Sequence, residues 1–178
     1  MIRRCRLQIG PLAIVSATLA FPGIGLIAVT ALPVPASAQA PGTIQYATTS
    51  AAVRPAIVKR GGHTSVVVTI KIAPQFHINS VKPADADLIP TKLAINSAAG
   101  FKVGSPVYPP NKTVRESYSP KPMLVYQGTA TIRVPITVES SAAPGKHVLS
   151  GALSYQGCNQ SACYPPKSVP VNVTVTVR

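Results

Sequence analysis

The feature that most constrains the fold of this chain is a strict alternation of apolar and polar residues in segments that end at proline or glycine. In the last of these segments, every second residue from position 169 to position 177 is a valine. Successive side chains of a β-strand point to opposite faces, so a period of two predicts a strand with one buried face. No useful length of sequence after residue 38 repeats with the period of a helix. We therefore expect an all-β domain.

The same pattern recurs along the chain in shorter segments. These are residues 43–48, 52–58, 64–72, 76–80, 91–96, 101–107, 123–126, 130–138, 147–156 and 167–178. Short strands between proline and glycine turns predict an antiparallel β-sandwich of immunoglobulin-like architecture, with a small barrel as the alternative. Pro135 falls on the outer face of its segment and indicates an edge strand, because proline cannot donate a hydrogen bond to a neighbouring strand. The polar segment 111–122 predicts a long loop or a short hairpin.

The N-terminus has the composition of an export signal. Three arginines precede residue 7, and no charged residue occurs from Ile9 to Val34. Small residues then follow at 36–38, as at the cleavage site of a secretory signal peptide. We interpret residues 1–38 as a signal peptide and residues 39–178 as one exported domain, periplasmic or secreted. The apolar run is also long enough to span a bilayer, so an uncleaved anchor is the alternative.

The charge of the chain is strongly positive but dispersed. The formal net charge is +13, and removal of the three arginines of the predicted signal lowers it to +10. Beyond the signal, the basic residues are scattered singly apart from the neighbours Lys59 and Arg60. Proteins that bind nucleic acids cluster their basic residues on one face. We therefore expect a solvated basic surface and no nucleic-acid partner.

A close pair of cysteines is the clearest candidate for chemistry. Cys158 and Cys163 lie at the end of a predicted strand and are separated by Asn159–Ala162. A tight turn brings such residues within disulfide distance, and Gly157 before them allows backbone conformations that other residues resist. A disulfide across so short a loop stabilises a fold by only about 2 kcal/mol. The spacing alone leaves two interpretations equally open, a structural disulfide and a redox-active pair.

Other uses of the cysteines fit the sequence less well. A zinc site would need two further ligands, and no two of His63, His77 and His147 have the spacing of a ligand pair. We expect no metal and no cofactor. Nucleophilic catalysis by a Cys–His pair is possible in principle, but a second cysteine so close to the first favours disulfide chemistry.

The residues around the cysteines resemble a known family. The motif from Tyr155 to Cys158, and Cys163 with Tyr164-Pro165-Pro166 and a valine-rich last strand, is similar to the N-terminal periplasmic domain of the thiol:disulfide interchange protein DsbD. Upstream pieces agree in order. They are Phe76–Ser80, Lys82-Pro83, Leu88–Leu93, Tyr108–Pro110 and Leu124–Gly128. The resemblance covers residues 43–178.

The resemblance implies an immunoglobulin-like domain whose cysteine pair receives reducing equivalents from a membrane thiol conduit. It implies that the pair passes them to periplasmic thioredoxin-like proteins, namely disulfide isomerases and reductants of cytochrome c maturation, with Cys163 attacking the partner. In the family, an aromatic residue on a cap loop covers the disulfide. The matching loop is 115–120 and the matching ring Tyr118, whose alternative is an ordinary exposed loop tyrosine.

Two further tyrosines flank the motif. Tyr155 and Tyr164 could shield the disulfide from solvent and from non-partner thiols, or could simply be packing residues. The transmembrane conduit and the C-terminal thioredoxin-like domain of full-length family members do not occur in this sequence. We therefore expect a stand-alone exported protein that takes its electrons from a separate protein. The alternative from another class is a secreted immunoglobulin-like binding or structural module with an inert disulfide.

Overall fold

The structure is a computed structural model that describes residues 44–178, and the predicted signal peptide 1–38 lies outside them. Twelve strands and no helix occur within these described residues. The strands are β1 Ala47–Arg54, β2 Ile57–Val58, β3 His63–Ile72, β4 His77–Asn79, β5 Lys92–Ile95, β6 Phe101–Val103, β7 Lys112–Val114, β8 Met123–Tyr126, β9 Thr129–Val138, β10 Gly145–Tyr155, β11 Gly157–Cys158 and β12 Lys167–Val177.

Two four-stranded sheets pack against each other around one apolar core. The first has the strand order β1-β3-β9-β6 and the second the order β2-β12-β10-β5. All of their pairs are antiparallel except the short pair between β12 and β2. The fold is therefore the immunoglobulin-like antiparallel β-sandwich that the alternation predicts, and the alternative of a small barrel is wrong.

The register of the long strands follows directly from the period of two. In the pairing of β3 with β9, Val66 lies opposite Val134 and Val68 lies opposite Ile132, and all four side chains are completely buried. Valines 171–177 of β12 are buried in the same alternating manner. Burial of apolar surface of this kind contributes about 25 cal/mol per Å². A shift of register by one residue would turn these side chains to solvent, so the pairing is strongly specified.

A third sheet, with the strand order β11-β4-β8-β7, carries the cysteine motif. Its strands are only two to four residues long. The segment 111–122, predicted as a long loop or a short hairpin, consists mainly of β7 and the loop 115–122. Strand β7 forms a hairpin with β8, which lies beyond this segment. The sheet is joined to the sandwich through β10, which leads directly into β11.

The prediction that Pro135 marks an edge strand is wrong. Strand β9 lies inside its sheet, between β3 and β6. The carbonyl of Pro135 accepts a hydrogen bond from the Gly104 amide, at 2.8 Å, so the nitrogen of Pro135 faces the same side. On that side β6 has already ended at Val103, and pairing resumes only at Val107 opposite Arg133. The missing N–H therefore falls where the ladder is interrupted.

Several predicted boundaries also differ from the structure. Strand β6 ends at Val103, so the predicted strand over 101–107 is shorter than expected. The predicted strands over 43–48 and 52–58 are replaced by β1, which runs without interruption over 47–54, and by the short β2. The first residues of β1, from position 47 to position 52, are all small or hydroxylic, so they gave little alternation of apolar and polar residues from which to place its start.

Candidate functional site

Cys158 and Cys163 form a disulfide at the end of the third sheet. The two sulfur atoms are 1.99 Å apart and the two Cα atoms 4.0 Å apart. Strand β10 ends at Tyr155, and after Gln156 the chain continues as β11, so the first cysteine belongs to a strand and the second to the loop behind it. The long, well-packed strand β10 thereby fixes the position of the motif.

The loop between the cysteines is shaped by Asn159. Its side-chain oxygen accepts hydrogen bonds from the backbone amides of Ser161 and Ala162, at 2.8 and 2.9 Å. Its side-chain nitrogen donates to the hydroxyl of Tyr164 at 2.9 Å. Asparagine commonly closes turns in this way, by bonding to the backbone two residues ahead. Asn159 is thus a positioning residue that the sequence analysis missed, although an Asx turn was a readable signal.

Position 157 requires glycine because the ring of Tyr46 lies very close to its Cα atom, and not because of its backbone conformation. The glycines with positive φ in the described chain do not include Gly157, so the expected conformational freedom is not its role. A Cβ atom at this position would instead collide with the ring of Tyr46. Tyr46 is buried, and its ring also stacks on Tyr164 with centroids 5.8 Å apart.

Gln156 connects the motif to the neighbouring strand and loop. Its side-chain oxygen accepts hydrogen bonds from Asn79 Nδ2 at 3.2 Å and from the Ile89 amide at 3.3 Å. Its side-chain nitrogen donates to the carbonyl of Tyr164 at 3.1 Å. Gln156, which lies between β10 and β11, is therefore hydrogen-bonded to β4, to the loop before β5 and to the residue that follows Cys163.

The two sulfur-bearing residues differ in accessibility. Cys158 is completely buried and packs with Met123 and Val125 of β8. Cys163 is only partly buried and lies at the border of the same cluster. A partner thiol or disulfide can therefore approach Cys163 more readily than Cys158.

The loop 115–120 reaches the disulfide through Tyr118. The Tyr118 hydroxyl lies 3.8 Å from Cys163 Sγ and donates a hydrogen bond to the carbonyl of Asn159 at 3.0 Å. A disulfide sulfur carries no proton, so it cannot be the donor in this contact. Burial and the nearby Glu116 raise the pKa of Tyr118 to about 12, which keeps the hydroxyl protonated. The side chain nevertheless remains 36% exposed, so the loop rests on the motif without being enclosed by it.

The other two candidate tyrosines have different surroundings. Tyr155 is buried and packs edge-to-face on Tyr46, with centroids 5.9 Å apart. Tyr164 is half-buried, stacks on Tyr46 and donates its backbone amide to the carbonyl of Gly157 at 2.8 Å. Tyr164 is thus joined to the motif by hydrogen bonds, whereas Tyr155 contacts the aromatic cluster beneath it.

A histidine that the sequence analysis did not place in the site lies beside Cys158. His77 is opposite Cys158 in the pairing of β4 with β11, and its Nδ1 is 3.8 Å from Oε1 of Glu116. Burial lowers the pKa of His77, and Glu116 opposes this by raising it. Lys167 donates a hydrogen bond to the carbonyl of Ile44, and its ammonium group lies over the Tyr46 ring. Sequence could not reveal the histidine, because the pairing joins strands far apart in the chain.

The family model of the N-terminal domain of the thiol:disulfide interchange protein DsbD matches residues 32–174. The chain belongs to the DsbD N-terminal domain family. The match takes in β1 to β11, both cysteines and most of β12. The matched range therefore contains the disulfide between Cys158 and Cys163.

Two N-terminal domains are among the solved structures that are similar to this chain. The N-terminal periplasmic domain of ScsB from Proteus mirabilis is 12% identical, with a TM-score of 0.49, over 71% of this chain and 44% of that one. The reduced N-terminal domain of DsbD from Neisseria meningitidis is 21% identical, with a TM-score of 0.45, over 63% and 78%. The chain thus spans less than half of the ScsB structure. No curated protein sequence matches it.

The described residues show neither a metal site nor a membrane-spanning helix. Between residues 44 and 178, no three His, Cys, Asp or Glu side chains are grouped so that they could hold a metal ion. The same part of the chain contains no helix with the length and apolar character that a membrane span requires.

Proposed function

We propose that this domain carries out thiol–disulfide exchange in the periplasm, with Cys158 and Cys163 as its redox-active pair. In its reduced form, Cys163 attacks the disulfide of a partner protein and forms a mixed disulfide. Cys158 then attacks Cys163, which releases the reduced partner and restores the disulfide. Both steps are exchange reactions between a thiolate and a disulfide.

The observation that carries the proposal is the asymmetry of the pair. The accessible sulfur of Cys163 suits the residue that meets the partner, whereas the buried sulfur of Cys158 suits the residue that resolves the mixed disulfide. Tyr118, on the loop 115–120, lies against the accessible sulfur, with its hydroxyl 3.8 Å from Cys163 Sγ and bonded to the carbonyl of Asn159. A partner that displaces this loop gains access to Cys163, while other thiols meet the tyrosine first.

The family supports partners that are themselves thiol–disulfide proteins. We assign the electron donor to a membrane thiol conduit and the acceptors to periplasmic thioredoxin-like proteins, either disulfide isomerases or reductants of cytochrome c maturation. We place the protein in the periplasm on the same grounds, with residues 1–38 as its export signal.

Equilibration with glutathione redox buffers tests whether the disulfide is redox-active. Structural disulfides have reduction potentials below about −300 mV, whereas exchange proteins lie above that value. We expect a potential above about −300 mV. A lower value would support the alternative of an immunoglobulin-like binding module with an inert disulfide.

Trapping with single cysteine variants tests the assigned roles. Cys158→Ala keeps the accessible sulfur and should accumulate a mixed disulfide with an oxidised thioredoxin. Cys163→Ala, the matched control, keeps only the buried sulfur and should trap far less. Equal trapping by both variants would contradict the assignment of roles, and trapping by neither would contradict the exchange function.

A further inference from the structure

His77 occupies the position of an ionisable partner for Cys158. The two residues are directly opposite in the antiparallel pairing of β4 with β11. Residues paired in this way project to the same face of a sheet, with Cβ atoms about 4.5–5.5 Å apart. Both are buried, with exposed fractions of 2% for His77 and 0% for Cys158. The imidazole therefore lies beside the sulfur that the exchange reaction uses second.

The two ring nitrogens of His77 have different surroundings. Nδ1 faces Oε1 of Glu116, whereas Nε2 is buried and makes no hydrogen bond within residues 44–178. A carboxylate facing Nδ1 favours the tautomer that carries its proton there, which leaves a lone pair on Nε2. Buried polar atoms nearly always have a partner, so this nitrogen requires an explanation.

The redox state of the disulfide supplies that explanation. In the oxidised protein, Cys158 has no proton to donate. Reduction gives Cys158 a thiol group on the face of the sheet that His77 shares. The lone pair of Nε2 then has a donor to accept from, and the arrangement of carboxylate, imidazole and thiol is the one that activates a nucleophile.

The charged groups around His77 are few. The strands on either side of β4, which are β8 and β11, carry no charged residue. The loop 115–120 contributes Glu116, which faces the ring, and Arg115, which is exposed. Burial lowers the pKa of His77 against the opposing effect of Glu116, so the neutral base prevails at neutral pH.

We propose that His77 is the general base for Cys158 in the resolving step, and that Glu116 is a positioning residue for the imidazole. This proposal rests on the proposed exchange function and adds to it the group that moves the proton. It also couples the chemistry to the loop 115–120, since Glu116 and Tyr118 belong to the same short segment.

The attack of Cys158 on the mixed disulfide conserves protons and electrons. Nε2 takes the proton of the Cys158 thiol, and the resulting thiolate attacks Sγ of Cys163 in the mixed disulfide. The bond between Cys158 and Cys163 forms, and the bond from Cys163 to the partner sulfur breaks. The partner leaves as a thiolate and takes the proton from the imidazolium. The two cysteines are oxidised and the partner's disulfide is reduced by the same two electrons.

The two steps can be timed separately with dithiobis(nitrobenzoate), a symmetric aromatic disulfide. Attack by Cys163 on the reagent releases a first thionitrobenzoate at a rate proportional to reagent concentration. Resolution by Cys158 releases a second one at a rate independent of reagent concentration. Stopped-flow absorbance of the reduced protein across a range of pH measures both.

For His77→Gln we expect an unchanged first step and a second step slower by about 10²-fold at neutral pH, the range in which a lost general base acts. The pH profile should change as well. The second step of the native protein should level off above the pKa of the imidazole, whereas that of the variant should keep rising with pH as the thiolate forms. His63→Gln, an exposed histidine on β3, is the matched control and should leave both steps unchanged.

Second-step rates and pH profiles of His77→Gln that equal those of the native protein would overturn the role of His77 while leaving the exchange function intact. Failure of the native protein itself to release the second thionitrobenzoate would overturn the exchange function and, with it, this proposal.

Glu116→Gln, a substitution of similar size and shape on the loop 115–120, provides a second test. Loss of the carboxylate removes the attraction that raises the pKa of His77. The break in the pH profile of the second step should therefore move to lower pH. A break that stays in place would contradict the proposed action of Glu116 through His77.

Discussion

The core between the two large sheets and the face of the third sheet bury very different side chains. Where β3 and β9 meet, the buried residues are valine, isoleucine and alanine, with Thr64 near the start of β3 as the exception. Around the disulfide, burial includes polar groups: of the five buried polar residues in the described chain, four lie in β4 or in the loop that follows it. These four are His77, Asn79, Ser80 and Thr91.

The difference indicates that the large sheets provide most of the stability, whereas the third sheet holds the disulfide for which we propose the exchange chemistry. The large sheets gain free energy from apolar burial, which needs no partner of defined direction. The third sheet buries polar atoms, and within residues 44–178 the buried side-chain N and O atoms that lack a hydrogen bond are His77 Nε2 and Asn79 Oδ1, both on β4. Burial of polar atoms without hydrogen bonds lowers stability. We therefore expect it only where the polar groups serve the proposed exchange reaction, which is beside the disulfide.

The largest effect should come from the sandwich core. Ile132→Ala removes a completely buried side chain of β9, and large-to-small substitutions of this kind cost about 2–5 kcal/mol. Urea unfolding should show this loss, while the reduction potential of the disulfide stays unchanged. Val148→Ala, on an exposed face of β10, is the control and should change the free energy of unfolding by less than about 0.5 kcal/mol. A large shift of potential in Ile132→Ala would show that the two regions are not independent.

Gly157→Ala should affect both regions. The added Cβ collides with the buried Tyr46 ring, and such overpacking costs about 1–3 kcal/mol. Because Gly157 precedes Cys158, the reduction potential should shift together with the unfolding midpoint. A double-mutant cycle with Tyr46→Leu measures the coupling between the two positions. Additive effects would mean that the ring is not what excludes a side chain here.

Tyr118→Ala should act on the site and hardly on stability. The residue is exposed, so the free energy of unfolding should change by less than about 0.5 kcal/mol. Reduction by a small thiol such as dithiothreitol should become about tenfold faster, equivalent to about 1.4 kcal/mol of lost shielding. Tyr118→Phe keeps the ring and loses the hydrogen bond to Asn159. Its rate of reduction should lie between those of the native protein and Tyr118→Ala. Unchanged reduction in Tyr118→Ala would contradict a covering role.

The smallest effect should be a pH dependence of stability that originates at His77. Its pKa is lowered below 6.5 by burial, against the opposing effect of Glu116, so below that pH the unfolded chain binds more protons than the folded one. The contribution to stability is fully present above 6.5 and is lost as the pH falls towards the lowered pKa. Urea midpoints at successive pH values should fall less steeply for His77→Gln than for the native protein. Parallel curves would contradict the lowered pKa.

Much of the fold was predictable because its signal is local. The alternation along β3, β9, β10 and β12 indicated which side chains are buried, since a period of two is a property of each strand by itself. The short distance between Cys158 and Cys163 likewise made their bonding predictable. The errors at Pro135 and Gly157 have a shared cause. In both cases the sequence correctly indicated a local property, the missing N–H of Pro135 and the missing side chain of Gly157. The neighbours that determine their roles, the interrupted strand after β6 and the Tyr46 ring, come from other parts of the chain.

The sequence by itself determined the long strands β3, β9, β10 and β12, their buried faces and the presence of a cysteine pair at a strand end. Only the tertiary structure decided that His77 lies opposite Cys158 and that Tyr46 needs a glycine beneath its ring. Strand periodicity arises from backbone geometry within a few residues, whereas strand pairing joins segments far apart in the chain. The site of this domain consists almost entirely of the second kind of contact.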